Sequence, residues 1–158
     1  MARIGIVTCS NTTQDMGCSS VGCLADLRSR GGHFEHYPKD APLELIGIVS
    51  CAGCPTIVGA EKILDRIRGL VAVGVEAIHL AACVVHLCPF KKRYEDVIRQ
   101  RFPHLSVVAG THAPPPGMDE AQMGEFFKTC VKETLHVPRK TIVETVMEKM
   151  TPQPGTPS

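Results

Sequence analysis

Seven of the eight cysteines sit where sulfur chemistry would need them. Cys9, Cys51 and Cys83 each close an apolar run: Ile4-Gly5-Ile6-Val7-Thr8, its near repeat Ile46-Gly47-Ile48-Val49-Ser50, and the looser copy Ala77-Ile78-His79-Leu80-Ala81-Ala82. Cys18, Cys23, Cys54 and Cys88 lie in the segments that follow, and a fourth apolar run, Leu105 to Gly110, is followed by Thr111 and His112. Thiolates bind soft metal ions because sulfur is polarizable, and they are the reactive form of cysteine toward electrophiles and disulfides. Without a secretion signal, a cysteine-rich chain is expected in a reducing compartment, where such clusters mean metal or redox chemistry more often than structural disulfides.

The apolar runs have the length and Ile/Val content of buried strands, here 3–9, 45–51, 75–83 and 105–110. Between them lie helical patterns. Val21, Leu24 and Leu27 mark the first, stopped by Gly31-Gly32, and Ile57, Ala60, Ile63, Leu64, Ile67, Leu70 and Val71 the second. Phe90, Tyr94, Val97, Ile98 and Phe102 mark the third. Pro55 stands where proline is best tolerated, at a first helical position, which makes Cys54 the expected N-cap, and Cys88-Pro89 repeats the arrangement. Helix N-termini would then stabilise both thiolates.

Alternating strands and helices imply an α/β fold: a three-layer, flavodoxin- or Rossmann-like parallel sheet of about four strands with helices on both faces. Two further amphipathic helices, about 119–136 and 138–150, follow Pro114-Pro115-Pro116-Gly117. The division is a Cys-rich unit over 1–113, a helical extension over 114–150 packed on the same domain, and a disordered tail over 151–158. Ligands of such sheets gather at the carboxyl ends of the strands. Cys9, Cys18, Cys23, Cys51, Cys54, Cys83, Cys88 and His112 are therefore expected to converge there as metal ligands. Their number exceeds the four ligands of a tetrahedral zinc, so an iron–sulfur cluster is the preferred cofactor and Zn the second. Thr8 and Ser50, just before their cysteines, are candidate donors to sulfur. Cys130, among Phe126, Phe127 and Val131 in a helix, reads as core, and His79 as structural.

The central Cys51-Ala52-Gly53-Cys54-Pro55, the Ile78-His79-Leu80 strand with Cys83 and Cys88 after it, and Gly110-Thr111-His112 together resemble the CGGC-domain family of small metal-binding proteins. The resemblance covers roughly residues 3–113 and implies metal binding, usually taken as zinc, with no enzymatic activity. Ala52 stands where the family's name has glycine.

The expected function is thus a metal-binding protein with a carrier, sensor or assembly role. Its partners would be a metal ion or cluster, a protein that donates or accepts that cluster, or a second copy of the chain. The alternative is a thiol–disulfide oxidoreductase using Cys51 and Cys54. A third reading is a flavin binder with Ser10-Asn11-Thr12-Thr13 as its phosphate loop. Lys plus Arg number 17 and Asp plus Glu 16 in 158 residues, with no basic block, so neither nucleic acid nor a membrane surface is expected as a partner. The start of the chain lacks the pattern of a signal peptide, which points to the cytoplasm.

Overall fold

The computed structural model describes residues 1–54, 56–135 and 140–151. Four strands, β1 (Ala2–Thr8), β2 (Leu43–Ser50), β3 (Ala77–Leu80) and β4 (Ser106–Ala109), form one sheet in the order β2-β1-β3-β4. All neighbours are parallel, with Thr8 beside Ser50, Val7 beside Leu80 and Leu80 beside Ala109. This register brings Cys9, Cys51, Ala81 and Gly110 to one edge, each the first residue beyond its strand. Chain order reverses between β1 and β3, the topological switch point of the sheet.

Residues of a strand alternate between faces, and the core divides accordingly. Val7, Ile78 and Leu80 pack with Ile63 and Ile67 of α2 (Gly59–Ala72), Val84 of α3 (Ala82–Leu87) and Ile98 of α4 (Lys91–Arg101). Ile4, Ile6 and Ala77 on the other face pack with Cys23 and Leu27 of α1 (Val21–Ser29) and with Phe34. The expected three-layer α/β fold is the one observed. Helix α5 (Glu120–Thr134) lies against α3 and α6 (Ile142–Met150), and the Thr134 and Thr145 hydroxyls meet at 2.9 Å between α5 and α6. Cys130 is fully buried, as a core residue should be.

Three local expectations are corrected. The third strand ends at Leu80, and Cys83 lies in the first turn of α3, because Ala81 turns the chain into a short helix. The proposed opening of a helix at Pro55 falls outside the described residues, but α2 begins at Gly59 after Val58, so Cys54 does not cap it. Cys88 ends α3 and α4 starts at Lys91, so neither thiol gains from a helix N-terminus. His136, Pro138 and the tail over 152–158 also lie outside the described residues.

The connection after α1 is held by Gly32, whose φ of +53° lies in the left-handed region. A Cβ there would collide with the Thr111 carbonyl oxygen and come within 2.9 Å of the Ala113 nitrogen. Next to it, the His33 N–H donates to the Thr111 carbonyl at 3.1 Å. Glycine thus lets two loops touch backbone to backbone and fixes the segment carrying Thr111 and His112. Gly32→Ala is expected to destabilise the fold by about 3 kcal/mol, strain and collision combined, as a lowered midpoint in urea unfolding.

Candidate functional site: thiols at the carboxyl edge

The Cys51 sulfur lies at the end of β2 and accepts the Ser10 backbone N–H at 3.3 Å. Its own N–H donates to the Thr8 carbonyl at 2.7 Å, which ties the turn after β2 to the end of β1. Arg66 of α2 donates to the Cys51 carbonyl at 3.1 Å. The Cys9 thiol donates to the Cys51 sulfur, the largest of the effects that hold Cys51 well below the ordinary thiol value, at about 5, against the opposing effect of burial. The Ser10 and Gly53 N–H groups and the Arg66 charge add to it. The same bond, with burial, pushes the Cys9 thiol up. The shifts run in opposite directions across the pair, so a proton shared by the two sulfurs favours Cys9.

Across the switch point the Cys9 N–H donates to the Cys83 sulfur at 3.2 Å. Burial pushes Cys83 up to about 11, with the Cys9 N–H among the effects that oppose it. The hydroxyl expected from Thr8 is spent elsewhere, on the Val49 carbonyl at 3.4 Å. Segment 10–13 is likewise not a phosphate loop. It opens a π-helical turn, Asn11–Asp15, in which the Thr12 and Thr13 hydroxyls donate to the Cys9 carbonyl at 2.9 and 3.0 Å.

A second constellation lies between α1 and the loop after β4. His112 Nδ1 is 2.6 Å from Asp26 Oδ2, and its Nε2 is 3.6 Å from the Cys23 sulfur. A carboxylate only accepts, so Nδ1 carries the proton and Nε2 presents its lone pair to the thiol. The Thr111 hydroxyl accepts the Ala82 N–H at 3.1 Å and lies 3.5 Å from the Cys23 sulfur. Burial pushes the Cys23 thiol up, with the Thr111 hydroxyl and the Cys23 N–H opposing.

Residues 3–112 match the CGGC domain. The chain belongs to the CGGC domain family. No curated protein matches it, and no solved structure does.

The metal centre that the CGGC resemblance implies does not fit this donor set. Among the described residues, no group of three or more His, Cys, Asp or Glu could hold a metal ion. An iron–sulfur cluster and Zn are therefore both corrected, along with the carrier, sensor or assembly role, the metal or cluster partner and the protein that would exchange it. The physical reason lies in how the edge is built. The Cys51 sulfur faces the Ser10 N–H and Cys9, the Cys83 sulfur faces the Cys9 N–H, Cys23 pairs with His112, and Cys54 is exposed on its loop. Cys18 takes the Ser20 N–H, and Cys88 takes the Phe90 N–H. Donors already satisfied in separate pairs do not form one coordination sphere.

The Cys51 and Cys54 oxidoreductase reading falls as well. All eight cysteines are free, Cys54 is exposed, and the partner of Cys51 is Cys9. Sequence reasoning missed Asp26 and Arg66, and it named Thr12 and Thr111 without their contacts to the cysteines. Asp26 was within reach, since residues three apart on a helix share a face and Cys23 falls between Val21 and Leu24 of the first helical pattern. The others carry no signal in spacing. No helix among the described residues is long and apolar enough to cross a membrane.

Proposed function

We propose that this CGGC domain is a redox-responsive thiol protein in which the Cys51 thiolate reacts with small hydroperoxides. The observation that carries the reading is the setting of the Cys51 sulfur, which accepts the Ser10 N–H at 3.3 Å while Arg66 donates to the Cys51 carbonyl at 3.1 Å. Cys51 is only 5 % exposed, so the electrophile that reaches it must be small. The sulfur attacks one peroxide oxygen, the O–O bond breaks, and the departing alkoxide or hydroxide takes a proton from Cys9 or water. Sulfur is oxidised by two electrons to a sulfenic acid and the peroxide is reduced to alcohol or water. No step uses Cys54. A stoichiometric response of this kind requires no turnover, and the reducing cytoplasm is the compartment in which eight free thiols would persist.

Treatment with hydrogen peroxide followed by dimedone is expected to label Cys51 before any other cysteine, as read by peptide mass. Cys51→Ala should abolish the early label. Equal labelling of Cys51 and exposed Cys54 would overturn the reading.

A further inference from the structure

The Cys51 reading leaves Cys23, His112 and Asp26 unused. We propose that these three form a second nucleophilic centre, which takes the acyl group of a small activated ester or thioester. Three observations carry it, and none involves Cys51. The nucleophile and base are within reach at 3.6 Å, and the base is oriented by a carboxylate at 2.6 Å on its other nitrogen. That is the order of parts in which a thiol is deprotonated on demand. The sulfur also meets a hydroxyl, Thr111, whose oxygen already accepts the Ala82 N–H and whose proton is free to turn toward a thiolate.

The third observation is Gly22. A Cβ at this exposed position would lie 2.8 Å from His112 Cε1 and 3.2 Å from Nε2. The imidazole occupies the space a side chain would fill, so glycine in the first turn of α1 is what allows the ring to approach Cys23. Helix formation itself would favour alanine there. The glycine serves the juxtaposition rather than the helix.

The step balances within the three residues and the substrate. His112 Nε2 takes the Cys23 proton, and the thiolate adds to the acyl carbon. The bond to the leaving oxygen or sulfur breaks, and that atom leaves with the proton held on Nε2. Cys23 keeps the acyl group as a thioester, which water later hydrolyses. Asp26 touches neither sulfur nor substrate and is a positioning residue for His112. Cys23 is 6 % exposed, which restricts the acyl group to a small one such as acetyl.

The test uses the full chain with p-nitrophenyl acetate, read as acetyl on each cysteine by peptide mass. Cys23 is expected to be acetylated faster than exposed Cys54. His112→Gln should slow acetylation of Cys23 by about 100-fold, and free imidazole should restore part of the rate in His112→Ala. Gly22→Ala retains all three groups and improves the helix, yet should slow it by about 10-fold or more by displacing the ring. Asp26→Asn should remove the downfield proton resonance of His112 Nδ1. Acetylation of Cys23 no faster than of Cys54, or a Cys23 rate unchanged in both His112→Gln and Gly22→Ala, would overturn the proposal. Either result leaves the peroxide labelling of Cys51 untouched, so the two centres fail separately.

Discussion

Alkylation of Cys51 by iodoacetamide is expected to be half-maximal near pH 5 and flat from about pH 6 to 9. Cys18, Cys23, Cys83 and Cys88, all pushed up chiefly by burial, should still be gaining rate at pH 9. The shape of the profile, rather than its height, is the signature. At pH 6 an ordinary thiol is about 0.3 % thiolate whereas a thiol titrating near 5 is about 90 %, a gain of roughly 300-fold. A less basic thiolate is also a weaker nucleophile, by roughly 40-fold over that span, and burial slows it further. The net advantage at pH 6 is therefore under about tenfold, and a single-pH comparison would miss it. Cys9→Ala removes the largest of the lowering effects, so the midpoint should move up by at least about one unit. A Cys51 rate that climbs tenfold per pH unit up to pH 8.5 would refute the thiolate assignment and with it the hydroperoxide reading.

Between pH 6.5 and 4 the folded state is expected to lose about 3 kcal/mol through His79 alone. This histidine is fully buried, stacked on Phe34 with ring centroids 4.4 Å apart. Its Nδ1–H donates to the Gly110 carbonyl at 3.0 Å, which leaves Nε2 to accept the Tyr37 hydroxyl at 2.9 Å. Burial, above all, pushes it down to about 4, and the Gly110 carbonyl only partly opposes this. The folded-state value lies below the ordinary one, so the unfolded chain takes up the proton first. The stabilisation is complete above about pH 6.5, falls as pH drops, and levels off once the folded form also protonates below about 4. His86, lowered mainly by burial as well, adds a smaller slope in the same direction. Urea unfolding from pH 4 to 8 measures the sum. In His79→Gln, which keeps an amide donor and acceptor but does not titrate, most of the slope should vanish even though stability at pH 7 also falls. A slope unchanged in that variant would assign the acid sensitivity elsewhere.

His79 also shows how the two levels of description divide. Its neighbours Ile78 and Leu80 marked a buried strand, and a histidine inside such a run reads as structural. That it joins β3 to the loop after β4 and to the segment bearing Tyr37 depends on contacts 31 and 42 residues away in sequence. Gly32 is similar, since only the nearness of the Thr111 carbonyl shows why no side chain fits.

The sequence by itself determined the fold class, the four strands, the amphipathic helices on their two faces and the placing of Cys9 and Cys51 at the carboxyl edge. These follow from hydrophobic periodicity and from a rule of parallel sheets, both of which act over a few residues or on all such folds alike. It could not determine what the thiols do there. A shared edge places sulfurs within several ångströms of one another, but ligating a metal, sharing a proton and pairing with an imidazole differ by an ångström or two and by side-chain direction. Only the tertiary structure decided that Cys51 faces Cys9 and the Ser10 N–H while Cys23 faces His112. The cause lies in the turns after the strands. Ala81 sends Cys83 into a helix, the segment after Cys51 delays α2 to Gly59, and Gly22 leaves room for an imidazole. Each disperses into pairs what linear spacing had suggested was one cluster.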